Sequence, residues 1–120
     1  MSGSQPQIKE RSFDFSIRIV KLCQSLENDS RISQTLATQL LRSGTSIGAN
    51  VEEANGSQSK ADFTAKMYIA CKEARETNYW LRLLVATELV AENKLAPLVD
   101  ESNHIVAILT AITKTSRTNR

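Results

Sequence analysis

The stretch ISQTLATQLLRSGTSIGANVEEA, residues 32–54, decides the fold. Its apolar and small residues recur every three or four positions, which is the spacing of one face of an α-helix. They are Ile32, Leu36, Leu40, Ser43, Ile47, Val51 and Ala54. A narrower row on the same helix holds Gly44 and Gly48, and each glycine costs about 1 kcal/mol of helix stability relative to alanine. Two such residues predict that another backbone packs closely here, and a kink over residues 43–48 is the alternative.

Three further helices flank this one, over about residues 10–27, 60–92 and 95–114. The first of them is apolar around most of its circumference, so we expect it to be covered on more than one side. Because the breaks between the helices are short, the pattern predicts an all-α, antiparallel up-down-up-down four-helix bundle. The bundle domain is expected to span residues 9–115, between a flexible lead-in at residues 1–8 and a flexible basic tail at residues 116–120.

The composition narrows the class of protein. A chain of 120 residues with 4 glycines and 2 prolines has too few turn residues for an all-β sandwich. A net charge of +2 excludes a strongly basic, histone-like protein. The cysteines, Cys23 and Cys71, show no metal-binding spacing, which predicts reduced thiols in a cytoplasmic protein. The longest apolar stretch, residues 105–112, is far shorter than the ~20 residues of a membrane span, so no membrane partner is expected.

Four polar residues are the candidates for chemistry. Asn50 and Glu53 lie three apart on the second helix, and Glu73 and Glu76 lie three apart on the third. A shared carboxylate cluster would bind a metal or perform acid–base catalysis. The structural alternative is capping and salt bridging, for example Lys72 with Glu76 along the third helix or Arg42 and Arg75 between helices, and we favour it. We therefore expect no enzyme, no metal and no cofactor, and we place the single histidine, His104, at the surface or at its boundary with the core.

Basic residues suggest a different partner. The candidates for nucleic-acid binding are Arg11, Arg18 and Lys21 on the first helix and Lys114 and Arg117 at the C-terminal end. The cations of the third helix are interleaved with acidic residues, which is typical of a solvated surface. An oligomer repeats each small patch, and phosphate binding grows with the number of contacts.

The third helix also has a second apolar side, formed by Tyr79, Trp80, Leu83 and Val90. A helix that is apolar on two sides has to be buried on both. Since one four-helix unit supplies one core, these four residues predict an interface between subunits, and hence a homo-oligomer.

The central part of the chain resembles the 23S rRNA intervening-sequence proteins. The matching elements are the run from Gln39 to Ser43, Ser46-Ile47 with Ala49-Asn50-Val51, Glu53, Ser59-Lys60 with Asp62-Phe63, Ile69-Ala70, and the run Glu73 to Glu76. The longer run from Glu73 to Arg82 resembles one subgroup of the family. The resemblance implies a cytoplasmic bacterial four-helix bundle that assembles into a ring, typically a pentamer, with no established catalytic activity. The chain also resembles, more distantly, the accessory protein of diversity-generating retroelements, which associates with nucleic acid and a reverse transcriptase.

Two functions follow as hypotheses. In the first, the protein is a non-enzymatic homo-oligomeric bundle that scaffolds RNA, DNA or a nucleoprotein partner through repeated basic patches. In the second, it is a protein–protein interaction scaffold without a nucleic-acid role. A metal or small-molecule enzyme that uses Glu53, Glu73 or Glu76 is a third alternative.

Overall fold

Four helices follow one another in the computed structural model, which describes residues 4–118. They are α1 (Ser4–Ser25), α2 (Arg31–Asn55), α3 (Lys60–Ala86) and α4 (Glu92–Thr118). Within those residues the chain forms no strand, so the predicted all-α class is confirmed. Ser30 caps α2 and Ser59 caps α3, each by accepting a hydrogen bond from a backbone N–H of the first turn.

Each helix runs antiparallel to the next. Side-chain contacts join the early part of one helix to the late part of its neighbour: Lys9 with Glu52, Cys23 with Ala37, Lys66 with Glu53, Thr77 with Ser43, Thr64 with Ser116, and Asn78 with Ser102. The bundle closes where α1 contacts α4 through Arg11 and Glu101. This arrangement follows from the short connections, since helices joined by a few residues pack as antiparallel neighbours.

The core is aliphatic, with a few hydroxyl groups. Its largest fully buried side chains include Ile8, Phe15, Met67, Leu81 and Ile105. Buried hydroxyls are satisfied inside the bundle, because an unpaired buried polar group costs stability. Thr77 Oγ1, for example, lies 2.9 Å from Ser43 Oγ and 2.8 Å from the carbonyl oxygen of Glu73.

The two glycines of α2 face α1, as their spacing predicts. A Cβ atom added at Gly44 would lie 2.8 Å from Cγ2 of Ile19, and one at Gly48 would lie 3.3 Å from Oγ of Ser16. The α-helix continues without interruption through both positions. The glycines therefore allow the close approach of α1.

The outer boundaries of the bundle differ from the predicted ones. α1 begins at Ser4, and Ile8 is fully buried, so part of the expected lead-in is helical and belongs to the core. α4 continues to Thr118, into the expected tail, and the half-buried Ser116 contacts Thr64 of α3. Residues 1–3 and 119–120 lie outside the described residues.

The predicted extension of α3 to residue 92 is wrong. The helix ends at Ala86, and Glu88 adopts the left-handed conformation with φ 60°. The amide groups of Leu89 and Val90 then donate hydrogen bonds back to the carbonyl oxygen of Leu84. A non-glycine residue makes this turn, so the glycine that commonly marks a helix end is missing from the sequence.

Helix α4 is the one described helix whose length and composition would allow it to cross a membrane. The core helix of a folded bundle has the same length and composition. In the structure its apolar side packs into the bundle, where the buried residues include Leu95, Leu98, Ile105 and Leu109.

Candidate functional site

The predicted polar residues of α2 and α3 form ion pairs between the helices. The Arg42 guanidinium lies 3.3 Å from a carboxylate oxygen of Glu73 and also contacts Glu76. The indole Nε1 of Trp80 donates a 3.0 Å hydrogen bond to Glu76. Glu73 and Glu76 therefore stabilise the α2–α3 contact.

The other predicted pair lies nearer the α2–α3 turn. Lys66 Nζ lies 2.8 Å from Oε1 of Glu53, and its hydrogen bond to that carboxylate raises the pKa of Lys66. The Asn50 side chain donates a 2.8 Å hydrogen bond to the carbonyl oxygen of Ser46 within α2. Across residues 4–118, no group of three His, Cys, Asp or Glu side chains is arranged to hold a metal ion. The ion pairs of Glu53, Glu73 and Glu76 and the hydrogen bond of Asn50 are contacts of the kind that the structural interpretation predicts.

Arg11 is engaged at the seam between α1 and α4. Its Nε lies 2.6 Å from Glu101, and a terminal nitrogen lies 3.1 Å from the second oxygen of that carboxylate. The same terminal nitrogen lies 3.2 Å from Nδ1 of the exposed His104. The bidentate hydrogen bond raises the pKa of Arg11 and ties its partly exposed side chain to Glu101 of α4.

The remaining predicted cations are divided between two ends of the bundle. Because α1 runs opposite to α4 and Arg11 contacts Glu101, movement from Arg11 to Arg18 leads away from Lys114. At 1.5 Å per residue, the separation along the bundle is about 30 Å. Arg18 and Lys21 therefore do not share a patch with Lys114 and Arg117 in one chain.

The charges of α3 are sorted by side, which our sequence analysis missed. Glu73 and Glu76 face α2, where they contact Arg42. On the α4 side, Arg82 donates a hydrogen bond to Asn78, whose amide in turn contacts Ser102 of α4. We call the cations on that side, with Lys72 at their border toward Glu76, the α3–α4 basic face: Lys60, Lys72, Arg75 and Arg82 of α3, with Lys114 and Arg117 of α4.

Helical geometry and groove contacts place these cations together. Lys60 and Arg117 line one groove between the two helices, and Lys114 lies three residues before Arg117 on the same side. Arg75 lies seven residues before Arg82, close to two whole turns, whereas Lys72, ten residues before Arg82, is displaced by about 80° around the helix toward Glu76. In the part of the chain that the structure describes, no carboxylate pairs with Lys72, Arg75, Arg82 or Lys114. The helical period of these cations could have predicted that they share a face. In the linear sequence they alternate with acidic residues, so the shared face is not obvious.

The predicted subunit interface is only partly exposed. Val90 is 7% exposed and belongs to the core of its own chain, because α3 ends early and the following turn folds inward. Trp80 is half-buried and packs against that core, as an edge-to-face partner of Tyr79. Leu83 is half-buried and Tyr79 is 49% exposed. Val90 is therefore unavailable to a partner, whereas the other three residues keep exposed surface.

A larger apolar surface lies on α1. Phe13 is 61% exposed, Ile17 41% and Val20 38%, and their spacing of four and three places them on one side of the helix. Leu41 of α2, 39% exposed, lies at the same level, since Ile19 packs on Gly44 and Cys23 contacts Ala37. We call these four residues the outer α1 patch. The sequence predicts that this side of α1 is covered, but no other part of the described chain covers it.

Both cysteines are free thiols. Cys23 Sγ lies 3.4 Å from the carbonyl oxygen of Ala37, and burial raises its pKa to about 11. Cys71 is buried, with its sulfur 3.4 Å from Oγ1 of Thr110. A raised pKa keeps the Cys23 thiol protonated and unreactive near neutral pH.

Comparison with known proteins covers nearly the whole bundle. The sequence model of a family described as 23S rRNA-intervening sequence protein matches residues 4–111. The crystal structure of a protein of unknown function from the S23 ribosomal protein family of Bacteroides thetaiotaomicron superposes with a TM-score of 0.86. The two chains share 42% sequence identity over 92% of this chain and 98% of that one. A search of curated proteins finds no match.

Proposed function

Because the chain belongs to the 23S rRNA-intervening sequence protein family, whose function is not established, we propose a role from its surfaces. It is a non-enzymatic, homo-oligomeric helical bundle that scaffolds RNA or DNA through basic patches repeated around the assembly. The observation that supports self-association is the outer α1 patch. The family resemblance suggests a pentamer, and the two free cysteines suit the reducing bacterial cytoplasm.

The outer α1 patch is large enough to contribute to association. Its four side chains are each between 38% and 61% exposed. Burial of the exposed part of each contributes about 1 kcal/mol, and contiguous apolar surfaces of this kind commonly mark interaction sites. The patch is therefore the first part of an interface, and the interface needs a complementary surface on the next copy.

That second surface lies along the α2 side of α3. Ile69 lies seven residues before Glu76, Trp80 lies four after it and Leu83 seven after it. All three therefore share the side of the helix on which Glu76 lies. Ile69 is 38% exposed, and Trp80 and Leu83 are half-buried. Two different apolar surfaces on one chain favour head-to-tail contacts, and such contacts close into a ring when the rotation permits.

The mass of the protein in solution tests self-association. Light scattering should give a multiple of the 13.3 kDa chain mass, and a monomer would refute the proposal. Ile17→Glu places a charge in the outer α1 patch and should give a monomer with unchanged helical circular dichroism. Arg18→Glu is the matched control, because Arg18 neighbours Ile17 on a different side of α1 and its replacement should leave the mass unchanged.

Filter binding tests the nucleic-acid role. Retention of RNA or DNA at low salt with little sequence preference, lost at high salt, is the expected result, because phosphate contacts release counterions. Absence of retention at low salt would remove this part of the proposal.

A protein–protein interaction scaffold is the second candidate, and the same exposed outer α1 patch favours it. In that case the patch receives a different protein. This alternative predicts a monomer that retains no nucleic acid and captures a partner protein. Ile17→Glu should abolish that capture, and Arg18→Glu should leave it unchanged.

A further inference from the structure

We propose that the α3–α4 basic face binds single-stranded nucleic acid, with phosphates on its cations and bases stacked on Tyr68 and Tyr79. This inference rests on the proposed function, because it states where the nucleic acid lies and in which form it binds.

The charge on this face is of one sign over most of its length. The acidic groups of α3 face α2, where Glu73 and Glu76 contact Arg42. Among residues 4–118, carboxylates border the face near the start of α4, where Glu92 and Asp100 line a groove with Arg82, and beside Lys72, whose neighbour Glu76 contacts Arg42. A row of cations with few acids attracts a phosphate backbone, whereas mixed charges on a surface largely cancel.

Two exposed aromatic rings accompany the cations. Tyr68 is 53% exposed and Tyr79 49% exposed, and both lie on the solvent side of α3. Lys72 Nζ lies 5.9 Å from the centre of the Tyr68 ring, and Arg82 Cζ lies 6.0 Å from the centre of the Tyr79 ring. Each ring thus has a cation beside it, which is the combination that binds single strands by base stacking and phosphate contacts.

A groove beside Tyr68 provides space for a base. It has a volume of about 630 Å³ and lies between Lys60 and Arg117, with Ala61 and Ala65 in its wall. This volume is within the ~300–1,000 Å³ of small-ligand pockets. Small apolar side chains leave the ring accessible, and both cations line the same groove as the ring.

The aromatic rings favour a single strand over a duplex. A base can stack on a tyrosine only when it is unpaired and turned outward, whereas a duplex presents its backbone and groove edges. A face that bound duplexes would need the cations alone. Exposed tyrosines beside the cations therefore indicate unpaired bases.

Salt titration of binding to a labelled, unstructured oligonucleotide measures the number of phosphate contacts. With about 0.7 counterions released per contact, six cations predict an affinity loss of about 300-fold between about 50 mM and about 200 mM salt. Lys72→Ala/Arg75→Ala leaves four cations, for which the loss falls to about 50-fold. Arg18→Ala/Lys21→Ala removes the same charge from α1 and serves as the matched control, with a salt dependence equal to that of the wild type.

Two substitutions of Tyr68 test base stacking, one that removes the aromatic ring and one that keeps it. Tyr68→Ala should weaken binding of the oligonucleotide about tenfold, as expected for loss of one stacked base, while Tyr68→Phe should retain binding. Light scattering and circular dichroism on each variant verify that assembly and helix content are unchanged.

The outcomes separate this inference from the function on which it rests. If the wild type binds no oligonucleotide at low salt, both fail. If the wild type binds but the α1 double variant loses as much affinity as the α3 double variant, only the location on the α3–α4 basic face is refuted. Equal affinity for a duplex of the same sequence would refute the single-strand preference.

Discussion

Gly44→Ala tests whether close packing of α1 on α2 requires a glycine. The added Cβ would lie 2.8 Å from Cγ2 and 3.0 Å from Cγ1 of Ile19, well inside ordinary van der Waals contact. Ile19 is fully buried and β-branched, so its rotamer in a helix is nearly fixed and it cannot turn away. Either the two helices move apart or the side chain strains.

Two opposing effects determine the change in stability. Alanine is favoured over glycine in a helix by about 1 kcal/mol, and an overpacked core costs about 1–3 kcal/mol. Gly44→Ala should therefore lower the free energy of unfolding by up to about 2 kcal/mol. Ile19→Ala removes both clashing carbon atoms, and in that background Gly44→Ala should raise the free energy of unfolding by about 1 kcal/mol.

Urea unfolding followed by helical circular dichroism measures these changes, at one protein concentration because assembly adds to stability. Gly48→Ala is the control, since its Cβ would meet the Ser16 hydroxyl at 3.3 Å, a mild overlap that offsets part of the helix preference for alanine, and we expect the free energy of unfolding to rise by between zero and about 1 kcal/mol. A stabilising Gly44→Ala in the wild-type background, or the same effect with and without Ile19, would refute the close-packing explanation of the glycine.

Three further outcomes are expected. Glu88 occupies the left-handed region at φ 60°, so Glu88→Gly should raise the free energy of unfolding by about 0.5–1 kcal/mol, and an unchanged urea midpoint would contradict this. Burial raises the pKa of Cys23 from 9.0 to about 11, so the unfolded chain loses this proton first. Stability should consequently fall as the pH rises through that interval, and urea midpoints against pH should show a shallower fall in Cys23→Ala. Arg11→Met leaves the Glu101 carboxylate, which is 17% exposed, without its bidentate partner and should cost about 1–3 kcal/mol in urea unfolding. Arg18→Met, the exposed control on the same helix, should change stability by less than about 0.5 kcal/mol.

The number of helices and the first two connections could be read from the sequence, because both depend on local chemistry. The three-and-four spacing across residues 32–54 and the capping serines at Ser30 and Ser59 act over a few residues. The glycine pair in α2 also reported the approach of a neighbour, because each glycine reduces helix stability and only packing offsets that loss. The end of α3 could not be read in this way, since Glu88 makes the turn without glycine.

The surfaces, in contrast, depend on which helices flank each side of a given helix. Glu76 and Lys72 are four residues apart and suggest an ion pair within α3, but Arg42 of α2 contacts Glu76 instead. Lys72, about 40° around the helix from Glu76, lies at the border of the α3–α4 basic face, and its ammonium is near the Tyr68 ring. Val90 looked like interface and became core, whereas Phe13 looked covered and is exposed. Helical periodicity defines the sides of each helix, but burial and charge pairing are set by neighbours distant in sequence, so only the packed bundle assigns a side to the core, to a partner or to solvent.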